Sequence, residues 1–415
     1  MDQHEDLEGR RGMKTMVRPF SMLAKCLRHQ RLFTAVILFL LALMPSQSKA
    51  DEGLLDRHRA TDVRVVTWNT YNKLRPDGTG DYAARLPRFA RVLQAIDPDV
   101  IVFQEIGTGS AVAALPAWLS ANLDPGTWYV LEGMDTGIRN AIASRFPLQL
   151  QRTDTTPASS TRGVTMALVD CPDTRGMTDL YLLAVHMKAQ EDSESEAKRQ
   201  RHCDAIANWL GDARTPGEDF DDLPQDTPMV VVGDMNFYLE GGQPELTLRT
   251  GEIQDEGTFG QSIKGDWDNS DLTDPQPIDP ITGEAWTLWN WESRTDRFIY
   301  TDSVVDLGNT FILNTMMLSR NLLNEYGLVD TDTTRDMTSD HLPVVVDFRP
   351  RLECTGDING DLIVNVDDFS QFLVQFGQTG VNLSADLDGD LDVDIEDFSV
   401  FLIHFGMTCT LPPAG

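Results

Sequence analysis

Eight short runs of apolar, mostly β-branched residues between residues 63 and 348 constrain the fold of this chain more than any other feature. Three longer stretches, at 82–96, 112–123 and 196–210, carry apolar residues at three- and four-residue spacing, which predicts helices. The predicted strands are 63–68, 99–104, 140–145, 163–169, 180–187, 229–235, 296–304 and 342–348. Many strands and few helices favour an α+β domain over residues 61–350, with two sheets packed face to face and helices outside.

Several of these predicted strands begin or end with a polar side chain that packing does not explain. The residues are Asn69, Glu105, His186, Asp234, Asn236, Asp296, Asp340 and His341. Each has a structural explanation when taken singly, because asparagine can cap a turn, histidine can be satisfied in a core and glutamate can pair with arginine. Together they place acids, amides and two imidazoles where loops meet a rigid scaffold, which is where sites are built.

The chemistry of this set indicates a divalent metal acting on a phosphate ester. Carboxylate and amide oxygens are the ligands that Mg²⁺ prefers. Two imidazoles beside the metal suit a phosphate whose negative charge grows in the transition state. The formal charge of −31 excludes a basic nucleic-acid coat, and so acidic a chain needs a metal to act on a phosphate ester.

Seven short motifs then occur in a specific order: TWNTYN, FQE, AIASRFP, VHMK, GDMN, TDRFIY and SDHLP. Their order resembles the endonuclease/exonuclease/phosphatase superfamily, which includes DNase I, abasic endonucleases, sphingomyelinases and inositol-polyphosphate phosphatases. The resemblance spans about residues 61–350. It implies a four-layer α/β-β/α sandwich of the DNase I-like type and in-line attack of water on phosphorus.

The resemblance also implies roles, residue by residue. The residues of the catalytic Mg²⁺ or Mn²⁺ site would be Asn69, Glu105 as principal ligand, and Asp340. The residues acting on the water and the phosphate would be Asp234, Asn236, His186, His341, Asp296 and Arg162, with Asn140 a weaker match. Among these, Asp234 would activate the attacking water and Asp296 would orient one of the two histidine rings.

Two features of the sequence bear on the substrate. Nuclease members of the superfamily often carry an arginine just beyond the metal-binding glutamate, where this chain has Ile106 and Gly107. This departure weakens the expectation of a DNase I-like grip on duplex backbone. The aromatic cluster WTLWNW at 286–291 could stack a base or a lipid head group, but we expect core and loop packing because large aromatic side chains mostly bury.

The C-terminal segment contains an internal repeat, in which residues 357–377 recur as residues 386–406. Each copy has oxygen ligands at loop positions 1, 3, 5, 9 and 12, which is the spacing of an EF-hand Ca²⁺ loop. The predicted ligands are Asp357, Asn359, Asp361, Asn365 and Asp368, then Asp386, Asp388, Asp390, Asp394 and Asp397. An amphipathic helix follows each loop. Leu362 and Leu391 depart from the pattern, since glycine normally makes the sharp turn at position 6.

This tail, residues 354–409, resembles a bacterial dockerin of the variant bracketed by Gly-Cys pairs, a small all-α module of paired EF-hand-like repeats. Cys354 and Cys409 bracket it, and a disulfide between them would contribute about 4 kcal/mol in the chain-entropy model. Cys171 and Cys203 could form a second disulfide or remain buried thiols. The resemblance allows a cohesin-like or cell-surface partner.

Residues 1–50 have the order of a secretory signal: basic residues, the apolar run 32–44, then small Ser48 and Ala50. The apolar run is shorter than the roughly 20 residues of a membrane span, so we expect no transmembrane anchor. We expect a secreted or surface-attached monomer. Without residues 1–50 the chain has 26 basic and 61 acidic residues, a formal charge of −35.

Three functions remain open from the sequence. The leading hypothesis is a secreted, metal-dependent phosphodiester hydrolase acting as a nuclease, tethered or sorted by its Ca²⁺-binding tail. The second is a phosphatase or phospholipase-type enzyme acting on inositol phosphates or sphingomyelin. The third is a non-catalytic, calcium-dependent attachment protein.

Overall fold

The computed structural model describes residues 53–409, except 81, 134–138, 155–161, 173, 175–176, 218–220, 290–292, 352–354, 381–382 and 388–390. The predicted signal sequence at residues 1–50 lies outside the described residues. None of the helices within the described ranges has the length and apolar character needed to cross a bilayer.

In the described part of the chain, eleven strands form two sheets. The strands are β1 Val63–Asn69, β2 Val100–Ile106, β3 Tyr129–Glu132, β4 Arg139–Ser144, β5 Leu148–Asp154, β6 Val164–Val169, β7 Leu180–His186, β8 Met229–Asp234, β9 Asp296–Tyr300, β10 Val305–Ile312 and β11 Val344–Pro350. The first sheet has the order β10-β11-β1-β2-β4-β3, and the second has the order β5-β6-β7-β8-β9.

In the described residues, six α-helices belong to the sandwich and the last two in chain order belong to the tail. The helices are α1 Leu86–Ile96, α2 Gly109–Asn122, α3 Ser193–Asp212, α4 Gln243–Thr250, α5 Glu256–Phe259, α6 Arg320–Glu325, α7 Val366–Gln375 and α8 Ile395–His404. Side chains of α1 and α2 pack in one core on the first sheet, and those of α3 pack in another on the second. A third core lies between the sheets. The predicted two-sheet α+β sandwich is confirmed.

Strand register brings the polar strand ends together. In the second sheet, His186 at the end of β7 pairs with Asp234 at the end of β8, and Asp234 pairs with Asp296 at the start of β9. In the first sheet, Asn69 at the end of β1 pairs with Gln104, one residue before Glu105. Because these ends share one edge of the sandwich, polar groups far apart in sequence converge there.

All eight predicted strands and three predicted helices overlap observed elements. The predicted strand 296–304 was too long, because a turn at residues 302–304 separates β9 from β10. The sequence patterns missed the strands β3, β5 and β10 and the helices α4, α5 and α6. In the aromatic cluster, Trp286 and Trp289 are partly buried against the inter-sheet core, as expected for packing. The cluster's last two residues lie outside the described ranges.

In the tail, α7 and α8 each begin with a capping box: Asn365 with Asp368, and Asp394 with Asp397. Their apolar faces share a small core that contains Phe372 and Phe401. Cys409 is disulfide-bonded, whereas Cys354 lies outside the described residues. Cys171 and Cys203 are buried thiols and do not form the second disulfide.

Candidate active site and cation-binding loops

The carboxylate of Asp234 is the centre of the polar strand ends. Its Oδ2 accepts a hydrogen bond from Asn69 Nδ2 at 3.0 Å. His186 Nε2 lies 3.5 Å from the same oxygen, and His341 Nε2 lies 3.9 Å from it. Oδ1 accepts from the backbone N–H of Asn236 at 3.2 Å. Burial raises the pKa of Asp234 above its ordinary value, although His341 and the Asn69 amide oppose that rise.

Glu105 lies beside Asp234 at the end of β2. Its φ of +54° is a left-handed conformation that non-glycine residues rarely adopt, and such strain clusters at functional sites. Asn69 Nδ2 is 3.3 Å from Oε1, and Asn72 Nδ2 donates to Oε2 at 3.0 Å. Burial raises the pKa of Glu105, while the Asn69 hydrogen bond lowers it. Its side chain remains 16% exposed, so the carboxylate opens to the surface.

A hydrogen-bond chain fixes the ring of His341. Its Nδ1 is 2.7 Å from Asp296 Oδ2, which also accepts from the hydroxyls of Thr287 at 2.7 Å and Thr295 at 3.1 Å. This arrangement turns Nε2 toward Asp234. Burial lowers the pKa of His341, but the carboxylates of Asp296 and Asp234 outweigh it and raise the pKa to about 10. His341 is therefore held as an imidazolium, a donor suited to a phosphate oxygen.

His186 differs from His341 in charge. Its Nε2 lies 3.6 Å from Glu105 Oε1, and its buried Nδ1 has no hydrogen-bond partner among the described residues. Burial lowers its pKa well below the ordinary value, and the nearby charges of Arg162 and His341 lower it further. One imidazole of the site is thus neutral and the other charged.

The remaining predicted site residues lie around this cluster. Arg162 Nη1 and Asn236 Nδ2 both donate to the backbone carbonyl of Met187, the latter at 3.1 Å. The Asn236 Oδ1 accepts from the Tyr238 hydroxyl at 2.8 Å. Both polar groups of the Asn236 side chain are therefore engaged with protein. Asn140 is buried in β4, two strands from β1 in the first sheet.

The donors of this cluster fit a hard divalent cation. The Glu105 side chain is 16% exposed, and Asp340 Oδ1 is buried without a hydrogen-bond partner among the described residues. Asn69, predicted as a ligand, accepts from Tyr71 N at 3.0 Å through Oδ1, and its amide nitrogen faces the two carboxylates. As placed, Asn69 bridges those carboxylates as a donor, because carboxylates accept only.

Two residues that hold this geometry were not predicted from the sequence. Asn72 binds Glu105, and its presence in the TWNTYN motif was the one available signal. Thr287 binds Asp296 from within the aromatic cluster, and nothing in the local sequence pointed to that contact.

The first tail loop gathers three carboxylates. One ligand oxygen from each of Asp357, Asp361 and Asp368 lies within 4.8 Å of the others. Backbone amides hold them: Asp357 accepts from Gly360 and Leu362, and Asp368 accepts at both oxygens. Burial raises the pKa of Asp357. Three acids this close favour a cation, and oxygen donors in this spacing fit Ca²⁺.

The second loop also gathers three carboxylates, but it shares only the acid at position 12 with the first. Its convergent carboxylates are Asp392, Asp394 and Asp397, of which Asp392 was not predicted as a ligand. Asp386 accepts from Leu391 N at 3.0 Å, as Asp357 does from Leu362 N in the first loop. The other predicted ligands divide as follows: Asn359 and Asn365 lie in the first loop, whereas Asp388 and Asp390 lie outside the described residues.

The sixth loop position keeps the turn that glycine would normally make. Leu362 and Leu391 have φ values of +69° and +75°. The departure noted in the sequence is therefore one of residue type and not of backbone shape. A leucine in this conformation stores strain of about 1 kcal/mol.

The family model described as "Endonuclease/Exonuclease/phosphatase family" matches residues 66–341, about two thirds of the chain. The chain belongs to this family. Its members hydrolyse phosphoester bonds, so the protein is a hydrolase of that class, and the Asp234 cluster lies within the matched residues. No curated protein matches the chain significantly in sequence.

Three of the similar solved structures share 15–20% sequence identity with this chain. An endonuclease/exonuclease/phosphatase from Beutenbergia cavernae is 20% identical, with a TM-score of 0.45, over 70% of this chain and 72% of that one. The human Nocturnin catalytic domain is 15% identical, with a TM-score of 0.47, over 70% and 95%. D. rerio TDP2 with a single-strand DNA product is 16% identical, with a TM-score of 0.44, over 69% and 99%. Such similarity carries no information about the substrate.

Proposed function

We propose that this chain is a secreted, metal-dependent phosphodiesterase that cleaves nucleic acid, tethered or sorted by a calcium-binding tail. The observation that carries the catalytic part is the convergence on Asp234. A buried carboxylate with raised pKa faces an imidazolium on one side and a neutral imidazole on the other, with Glu105 adjacent. This arrangement combines a base for water with donors for phosphate oxygens.

In the proposed mechanism, the Asp234 carboxylate accepts a proton from a water molecule as that water attacks phosphorus in line with the leaving oxygen. His341 and His186 donate hydrogen bonds from Nε2 to the phosphate oxygens. Asp296 keeps His341 charged and correctly turned. Glu105 and Asp340, with Asn69 beside them, would hold a divalent ion, which would stabilise the developing negative charge.

The tail supports a second part of the proposal. Two loops each gather three carboxylates within 4.8 Å, and each is followed by a capped helix. We infer that both loops bind Ca²⁺ and that the folded tail, through a cohesin-like or cell-surface partner, locates a protein exported by its N-terminal signal. The chain would then act outside the cell.

One observation favours a second candidate, a phosphatase or phospholipase-type enzyme on inositol phosphates or sphingomyelin. Gly107 and Ile106 stand where nuclease members often carry an arginine. This second candidate is preferred if cleavage of nucleic acid needs a positively charged side chain beyond the metal site and no other residue supplies one.

The test is a substrate panel of plasmid, single-strand DNA, RNA, sphingomyelin and inositol phosphates, with Mg²⁺ or Mn²⁺ and with chelator. We expect chelator-sensitive cleavage of nucleic acid that falls about 10³-fold in Asp234→Asn. Asp221→Asn is the matched control, because that carboxylate binds the Tyr181 hydroxyl near the opposite end of the second sheet. Equal rates for Asp234→Asn and wild type would refute the site, and activity on lipid or inositol phosphate alone would favour the second candidate.

A further inference from the structure

The space beside Gly107 is filled by an arginine from another part of the chain. A Cβ placed on Gly107 would lie 2.2 Å from Nε of Arg75 and 2.3 Å from its Cζ. The guanidinium of Arg75 therefore lies against the bare backbone of Gly107, two residues beyond Glu105. Gly107 stands where nuclease members often carry an arginine, and its lack of a side chain leaves room for Arg75.

Arg75 lies in the loop that follows β1, and the same loop hydrogen-bonds to Glu105. Its Nε donates to the backbone carbonyl of Asn72 at 3.3 Å. Asn72 in turn binds Glu105 twice, through its side chain to Oε2 at 3.0 Å and through its backbone N–H to the Glu105 carbonyl at 2.7 Å. Asn72 therefore links Arg75 to Glu105, with one hydrogen bond to the arginine and two to the glutamate.

The charge of Arg75 is not used within the described protein. No ion pair joins it to a carboxylate of the described residues, and the side chain is only half-buried. Lys73, on the same loop, shows the contrast: its side chain is buried, its ammonium donates to the Arg335 carbonyl and lies 4.8 Å from the ring centroid of Tyr71. A partly exposed guanidinium against Gly107, two residues beyond the predicted metal ligand Glu105, is available in a chain this acidic to an anion of the substrate.

We propose that Arg75 binds a second phosphate of the substrate, next to the phosphate that is cleaved. This rests on the proposed phosphodiesterase function and narrows it to substrates that carry more than one phosphate. Two sources share that chemistry: the neighbouring phosphate of a nucleic-acid strand and a neighbouring phosphate on an inositol ring. A substrate with one phosphate gains nothing from Arg75.

The experiment compares a single-strand oligonucleotide and an inositol polyphosphate with bis(4-nitrophenyl) phosphate, which has one phosphate. Arg75→Ala should raise KM about tenfold on whichever multi-phosphate substrate the wild type cleaves. It should change kcat/KM on bis(4-nitrophenyl) phosphate less than twofold. Arg75→Lys should recover part of the loss, because a charge remains but the planar fork does not.

Gly107→Ala provides a second route that keeps the arginine. Its new methyl group must displace the Arg75 side chain, so the same rise in KM is expected, and Arg75→Ala/Gly107→Ala should be no worse than either single change. Gly109→Ala is the matched control, since its Cβ would lie 3.5 Å from the nearest atom, Glu132 Oε1, an ordinary contact.

Four results would overturn the proposal. Equal losses on substrates with one and several phosphates would make Arg75 a structural residue. An unchanged KM for Gly107→Ala on the multi-phosphate substrate would show that the position of Arg75 against Gly107 does not affect substrate binding. Wild-type cleavage of bis(4-nitrophenyl) phosphate alone would leave the phosphodiesterase standing without a second phosphate subsite, whereas no cleavage of any substrate with Mg²⁺ or Mn²⁺ would overturn both proposals.

Discussion

The catalytic cluster and the tail loops both gather carboxylates, but they do so by different means. The catalytic residues run from Asn69 to His341 and meet because strand ends from two sheets share one edge. The acids of the first tail loop, Asp357 to Asp368, lie within twelve residues of one another. Amide and imidazole side chains surround the catalytic acids, whereas backbone N–H groups surround those of the loop.

This difference implies different dependences on ions. The catalytic cluster is held by three large hydrophobic cores and should keep its geometry without a metal. The tail has one small core of six buried residues, so its folding should depend on the cation that offsets its acids. Protons should control the stability of the first region, and Ca²⁺ that of the second.

The largest expected effect tests whether the catalytic geometry is preformed. His341→Ala should lower kcat on a phosphodiester about 10³-fold, because the imidazolium that faces Asp234 is lost. Asp296→Asn should lower it less, about 10²-fold, since the ring would remain but lose its carboxylate partner. Steady-state kinetics at saturating Mn²⁺ measures both. A His341→Ala enzyme with more than a third of wild-type kcat would contradict the assignment, provided its thermal midpoint matches wild type.

The second effect concerns proton control of the catalytic region. His202 on α3 is buried, with Nε2 2.9 Å from the Arg162 carbonyl and Nδ1 without a hydrogen-bond partner among the described residues. Burial lowers its pKa from 6.5 to about 4. Between those values the unfolded chain binds a proton that the folded chain does not, so stability is full above pH 6.5 and falls as the pH drops toward 4.

Denaturant unfolding across this pH window checks the prediction. His202→Gln should reduce the wild-type loss of unfolding free energy between pH 7 and 4 by about 3 kcal/mol. Comparison at pH 8 establishes that the variant folds. The same pH dependence in both proteins would show that His202 is not the group responsible.

The third effect concerns the tail. Ca²⁺ should slow proteolysis within residues 355–409 at least about tenfold, because binding to the folded loops alone stabilises them by mass action. The catalytic sandwich, residues 61–350, should be cleaved at the same rate with Ca²⁺ or with chelator. Limited proteolysis followed by mass spectrometry measures both regions in one sample. Equal tail cleavage in the two conditions would mean that the two regions do not differ in this respect.

The smallest expected effect is on the stability of the tail. Glycine should raise that stability at one leucine and lower it at another leucine of nearly equal exposure. Leu391, 54% exposed, has φ +75°, so Leu391→Gly should stabilise the Ca²⁺-loaded tail by about 1 kcal/mol. Leu402, 55% exposed, lies within helix α8, so Leu402→Gly should destabilise it by about the same amount. Thermal unfolding of the tail would show both, and two destabilising changes would contradict the strain at position 6.

The sequence predicted the buried parts of the sandwich well and its exposed edges poorly. Strands β1, β2, β7 and β8 are largely apolar and buried on both faces, and their patterns were clear. In contrast, β3 and β5 carry mostly exposed or half-exposed side chains and β10 alternates irregularly around a bulge. The order of apolar and polar residues in these three strands cannot be distinguished from that of a loop.

Site residues at strand ends were predictable from the sequence, whereas residues supplied by loops were not. Asp234, His186 and His341 adjoin apolar runs, so their polarity stood out. Thr287 and Arg75 lie in loops, and they meet Asp296 and Gly107 only because the folded sheets bring those loops to them. The hydrogen-bonding direction of the Asn69 amide likewise depends on neighbours that no local pattern reveals.

The most direct measurement is calorimetric titration of Mn²⁺ into Ca²⁺-loaded wild-type, Glu105→Gln and Glu132→Gln protein. Glu105 is the predicted principal ligand of the metal, whereas Glu132 pairs with Arg139 on the edge of the first sheet. We predict one Mn²⁺ site per chain in wild type and Glu132→Gln, and its loss in Glu105→Gln. Equal Mn²⁺ binding by all three proteins would contradict a divalent-metal site at the converging strand ends.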